Sequence, residues 1–89
     1  MYKVFWEEDA LEELSKLWLK LKPMEINAAI KVIERKLSYG AEQAGESRSR
    51  ASERIFIVEP LCLYFTIEYR DRLRTAVIQH VWSIYKPSR

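Results

Sequence analysis

The chain has 89 residues, 48 % of them hydrophobic and 12 % aromatic, with two glycines and three prolines; this excludes disorder and leaves room for one small domain, 1–89. The net charge of +2 is unevenly spread: residues 1–46 hold seven Lys/Arg against nine Asp/Glu, and residues 47–89 hold eight against four, seven of the eight being Arg. The single cysteine, Cys62, excludes an internal disulfide. With no basic-then-apolar leader and no run of about 18 apolar residues, the expected address is cytoplasmic, with no membrane partner.

Met1 to Trp6 places Tyr2, Val4 and Trp6 on one side and reads as a first strand. Asp9 followed by Glu12 reads as a helix start of the capping-box kind, with the acidic cluster suited to the positive end of the helix dipole. Leu11, Leu14, Leu17, Trp18 and Leu21 then recur at three- and four-residue spacing, so the pattern predicts a helix over about 9–21 with one apolar stripe. Lys22-Pro23 breaks it, Pro suiting the first position of a second helix. Ile26, Ala29, Ile30, Ile33 and Leu37 form the second stripe, and Gly40 supplies the stop. The short connection predicts an antiparallel helix hairpin.

Residues 40–53 contain both glycines and no large apolar side chain, and read as a long loop carrying Glu46, Arg48 and Arg50. From Arg54 to Ile84 the chain is dense in β-branched and aromatic residues, with polar breaks at Glu59-Pro60 and Arg70-Asp71-Arg72, which predicts three strands in an antiparallel meander. In its middle run Leu61, Leu63, Phe65, Ile67 and Tyr69 share one face, and Cys62, Tyr64, Thr66, Glu68 and Arg70 the other. The last run alternates ambiguously: His80 shares a face with Ala76, Ile78, Trp82 and Ile84, unless Val77 and Val81 mark the buried side. The fold class is α+β, two-layer, β-α-α-β-β-β, with both helices on one face of the sheet.

No glycine-rich phosphate loop, CxxC pair or His/Cys cluster with metal spacing occurs, so no metal and no cofactor is expected. His80 and Cys62 read as structural. The arginine-rich half offers a candidate nucleic-acid surface, Arg50, Arg72 and Arg74 included, because guanidinium grips phosphate bidentately. Such a surface suits one metal-free reaction, cleavage of RNA by its own 2′-OH. That reaction needs cations for the extra charge of the transition state and groups to move protons. Arg48, Arg50, Arg54 and Lys86 are candidates for the first task, Tyr85 or Glu46 for the second.

The order of elements resembles the RelE/ParE superfamily, the toxins of type II toxin–antitoxin pairs, known also as plasmid-stabilisation proteins. The likeness is carried by Tyr2-Lys3-Val4-Phe5-Trp6 with Asp9-Ala10-Leu11-Glu12-Glu13-Leu14, by Ala29-Ile30 with Ile33-Glu34 and Leu37, and by Gly45-Glu46-Ser47-Arg48. Arg54, Pro60-Leu61 with Leu63, Phe65 and Ile67, then Asp71-Arg72 and Val77-Ile78 with Val81-Trp82, complete it. The resemblance implies a cognate antitoxin as partner, with a homodimer or a toxin–antitoxin heterotetramer as candidate assemblies. It implies either a ribosome-dependent mRNA endoribonuclease (RelE-like) or a non-enzymatic DNA gyrase inhibitor (ParE-like), an inactive antitoxin-binding member being the third case. RelE-like nucleases keep an arginine after the last strand with a tyrosine or histidine nearby. Lys86 and Tyr85 stand there in this chain, and Arg48 and Arg50 stand where some relatives carry paired lysines.

Overall fold

Two helices lie across one face of a five-stranded sheet in the computed structural model, which describes residues 1–50 and 52–84. In chain order these are β1 (Lys3–Trp6), α1 (Glu8–Trp18), α2 (Pro23–Gly40), a 3-10 turn (Ala41–Gln43), β2 (Glu46–Ser47), β3 (Glu53–Val58), β4 (Leu61–Arg70) and β5 (Leu73–Ser83). The sheet order is β1-β5-β4-β3-β2, with β1 parallel to β5 and every other pair antiparallel. The expected two-layer α+β architecture is the observed one, with β2 as an addition that the loop composition did not announce.

The N-cap of helix α1 lies two residues before Asp9, the expected capping-box position. Glu7 N–H is still donated to the Ile78 carbonyl (2.9 Å) while its own carbonyl accepts from Leu11 (3.0 Å). Glu7 is therefore the N-cap, and its side chain makes no capping bond. The strand pairing of Glu7, not the chemistry of Asp9, decides where the helix begins. Helix α1 also ends at Trp18, short of Leu21, with Leu19 N–H turning back to Lys16 O (3.2 Å). Pro23 opens α2 as expected.

The core lies between the helices and the sheet. Ala10 and Leu14 of α1 and Ile26, Ala29, Ile33 and Leu37 of α2 pack on Leu61, Leu63 and Phe65 of β4 and Ala76, Ile78 and Val81 of β5. Tyr2, Val4 and Trp6 close one side and Phe56 and Val58 the other. Each fully buried Leu, Ile or Phe here contributes about 1.5–3 kcal/mol.

A β-bulge settles the ambiguous alternation of β5. Tyr64 is opposite His80 but Phe65 is opposite Ile78, so Gln79 is an extra residue and the phase of β5 shifts by one. Ala76 and Ile78 before it, and Val81 after it, therefore all face the helices. Both readings of the sequence are right, each on its own side of the bulge.

Candidate functional site

Register assigns the residues of the uncovered sheet face to cross-strand rows, since directly opposed residues point the same way. One row is Ile57, Cys62 and Trp82; the next is Glu46, Ile55, Tyr64 and His80. A third holds Glu53, Thr66, Val77 and Phe5, and a fourth Glu68, Thr75 and Lys3. Apolar side chains fill the first row, where Ile57 and Trp82 remain 57 % and 41 % exposed. In the second, three groups able to move protons, Glu46, Tyr64 and His80, share the row with Ile55.

Tyr64 and His80 face each other across β4 and β5 with ring centroids 6.4 Å apart and planes 27° apart. The Glu13 carboxylate of α1 lies 3.3 Å from His80 Nδ1 and accepts the Val81 N–H at 3.0 Å, on the part of β5 that β1 leaves unpaired. One carboxylate thus satisfies a strand edge and orients an imidazole. Burial first, and then the diagonal neighbour Glu53, push the Tyr64 phenol up, while the Arg50 charge pulls the other way. The phenol therefore stays protonated and able to donate through the neutral range.

Beyond this row a polar chain runs along β4. Gln79 Nε2 donates to Thr66 Oγ1 (3.2 Å), Thr66 donates to Glu68 (2.9 Å), and Arg70 Nε donates to the other Glu68 oxygen (2.8 Å). The Thr66 hydroxyl, then Arg70, hold the Glu68 carboxyl below its ordinary value against the effect of burial. Arg70 also stacks over the Phe5 ring at 5.5 Å. Its charge is already engaged, and Glu46, Glu53 and Glu68 make this face mixed in sign, where the sequence suggested a gathering of cations.

The sequence-predicted residues separate as follows. Glu46 lies in the row of Tyr64 and His80, and Arg48 extends the β2 edge, its N–H donated to Glu53 O (2.7 Å). Arg50 is close enough for its charge to act on Tyr64. Arg54 is opposite Phe65 and so points to the helix side, where Nε donates to Ala44 O (2.6 Å) and Nη2 to Gly45 O (2.9 Å). Arg74 is on that side too, with its Nη1 3.3 Å from the Tyr2 hydroxyl and 3.4 Å from Glu42. Arg72 sits in the β4–β5 turn with a positive φ of 65°. Tyr85 and Lys86 lie outside the described residues. The cations thus divide: the charge of Arg50 acts on the open row, whereas Arg54 and Arg74 serve the covered side. The sequence reads His80 as structural and gives Tyr64 no catalytic role, because nothing local pairs them; only the bulge brings them face to face.

Among the described residues no group of three or more His, Cys, Asp or Glu side chains is arranged to hold a metal, and no helix is long and apolar enough to cross a membrane.

No protein-family model matches the chain, and no curated protein sequence is similar to it. Among solved structures it is similar to a chain of the toxin–antitoxin complex RelBE2 from Mycobacterium tuberculosis. The two superpose with a TM-score of 0.73 at 24 % identity, over 92 % of this chain and 96 % of that one. The fold is therefore shared across nearly the whole length of both.

Proposed function

We propose that this protein is the toxin of a toxin–antitoxin pair and acts as a metal-independent endoribonuclease on mRNA. The observation that carries the toxin reading is the full-length fold shared with a chain of a toxin–antitoxin complex. The nuclease reading rests on the Glu46–Tyr64–His80 row. In this mechanism His80, oriented by Glu13, takes the 2′-OH proton as that oxygen attacks the adjacent phosphorus. The phenol of Tyr64 protonates the departing 5′ oxygen, leaving a 2′,3′-cyclic phosphate. Arg48, Arg50 and Lys86 supply charge to the pentacoordinate transition state, and Tyr85 and Glu46 are further proton-transfer groups. Arg54 is a positioning residue, clamping the turn that leads into β2. The protein's partner is a cognate antitoxin.

Induced expression of wild type, His80→Gln and Tyr64→Phe, with primer extension on cellular mRNA, tests the chemistry. Wild type should arrest growth and cut mRNA, and each variant should fold normally and cut at least 100-fold more slowly. Undiminished cutting by both variants removes this row from the mechanism. Co-expression of the product of the neighbouring open reading frame tests the toxin class; it should co-purify and restore growth. A second reading is favoured by the exposed apolar side chains Ile57 and Trp82, which flank the buried Cys62 and suit a protein target. Growth arrest with a DNA-damage response and intact mRNA would assign the protein to gyrase inhibition.

A further inference from the structure

On the opposite side from the sheet face described above, the carboxyl end of α2 and the following 3-10 turn enclose an open hollow of about 500 Å³. Arg35, Lys36, Tyr39, Gly40, Gln43 and Ala44 line it. That volume is in the range of small-ligand sites. Its walls follow from helical spacing. Arg35 and Tyr39 are four apart and share a face, and so are Lys36 and Gly40, where the missing side chain creates the space. A Cβ built on Gly40 would meet nothing within 4 Å.

The charges around it are unbalanced in one direction. Glu34 accepts the Trp6 indole N–H (3.2 Å) and Glu42 pairs with Arg74 (3.4 Å), so both neighbouring carboxylates are turned elsewhere. Arg35 and Lys36 have no side-chain partner among the described residues. Tyr39 leaves 74 % of its surface exposed between them. An uncovered aromatic ring beside a guanidinium, an ammonium and a carboxamide is the chemistry that binds a planar base with an attached phosphate.

We infer that the Arg35–Lys36–Tyr39–Gln43 hollow binds a nucleoside monophosphate unit, either free or within single-stranded RNA. The base stacks on Tyr39 and meets the Gln43 amide. The phosphate lies toward Arg35 and Lys36, one turn back from the negative carboxyl end of α2, which favours donors such as exocyclic amines. This site does not depend on the toxin reading or on the Tyr64–His80 row.

Amide chemical shifts of the labelled full chain, titrated separately with AMP, UMP, inorganic phosphate, a tetraglutamate peptide and a single-stranded RNA tetramer, test it. His80→Gln protein is used for the RNA arm so that cleavage does not intervene. Both mononucleotides should move the resonances of residues 35–44, and Tyr39→Ala should weaken binding by about 5- to 150-fold, the worth of one base–aromatic stack. Gly40→Leu, which fills the hollow, should abolish it, and the paired change Arg35→Ala with Lys36→Ala should remove its salt dependence. RNA binding at least tenfold tighter than AMP identifies a strand as the ligand, and equal affinity identifies a free nucleotide; either supports the inference. It is overturned if residues 35–44 do not respond to nucleotide. It is equally overturned if phosphate or tetraglutamate gives the same response, or if Tyr39→Ala binds as wild type.

Discussion

Replacing Gly45 by alanine is the most direct test of how the candidate site is held. Gly45 has a φ of +67°, and an added Cβ would run into the Ile55 carbonyl oxygen and come within 2.8 Å of its carbon and 2.9 Å of Phe56 Cα. These are backbone atoms of a paired strand, so no side chain can swing aside. The left-handed conformation alone costs a non-glycine residue about 1–2 kcal/mol. Relieving the collision must pull β2 from β3, losing the Glu46–Ile55 and Ser47–Arg54 pairs. It also strains the Arg54 bonds to Ala44 and Gly45, each worth about 1.5 kcal/mol or more where the donor is charged. A total of about 3–5 kcal/mol is expected, a large share of the roughly 4–13 kcal/mol that a domain of this length holds. Urea unfolding followed by far-ultraviolet circular dichroism measures it, and the melting temperature should drop by about 12 °C or more. Gly40→Ala, which enters empty space, is the control and should change stability by less than about 1 kcal/mol. A loss below about 1 kcal/mol for Gly45→Ala, with an unchanged urea slope, would refute the claim that this glycine sets the β2 position.

Three further outcomes follow from the same structure. Arg54→Met keeps the aliphatic stem but strands the part-buried Ala44 carbonyl and leaves the exposed Gly45 carbonyl to water; it should cost about 1–3 kcal/mol in urea unfolding, whereas a surface cation would cost under about 0.5. Phe65→Ala empties a fully buried site in the middle of β4, and a loss of about 3–5 kcal/mol is expected by the same method. Because the Glu68 carboxyl is held below its ordinary value in the folded state, its stabilisation is present above the unfolded value and disappears as pH falls through the folded one. Glu68→Gln should therefore be less stable than wild type at pH 7, with the two curves converging below about pH 4; parallel curves across that range would contradict the assignment.

The fold was legible because its apolar positions are strongly periodic. The α2 stripe Ile26, Ala29, Ile33 and Leu37 and the alternating Leu61, Leu63 and Phe65 are the buried residues themselves. Features set by long-range pairing were not legible. The start of α1 depends on the Ile78 carbonyl, 71 residues after Glu7, and the phase of β5 on one unpaired residue, Gln79. The candidate site was less readable still. Counting arginines located a basic half of the chain, but register sends Arg54 and Arg74 to the helix side and Tyr64 with His80 to the open one. Charge in one dimension carries no information about which face of a sheet receives it.

The parallel pairing of β1 with β5 also orders events in the life of the chain. Lys3 is matched with Thr75, so β1 finds its neighbour only after the two helices and three intervening strands have been made. Closing that loop is the slowest kind of contact for a small domain to make. Premature termination anywhere before β5 leaves β1 without its partner strand, and with it the His80 side of the uncovered face. Quality control is thereby written into the topology: only a chain translated through β5 can assemble the uncovered face.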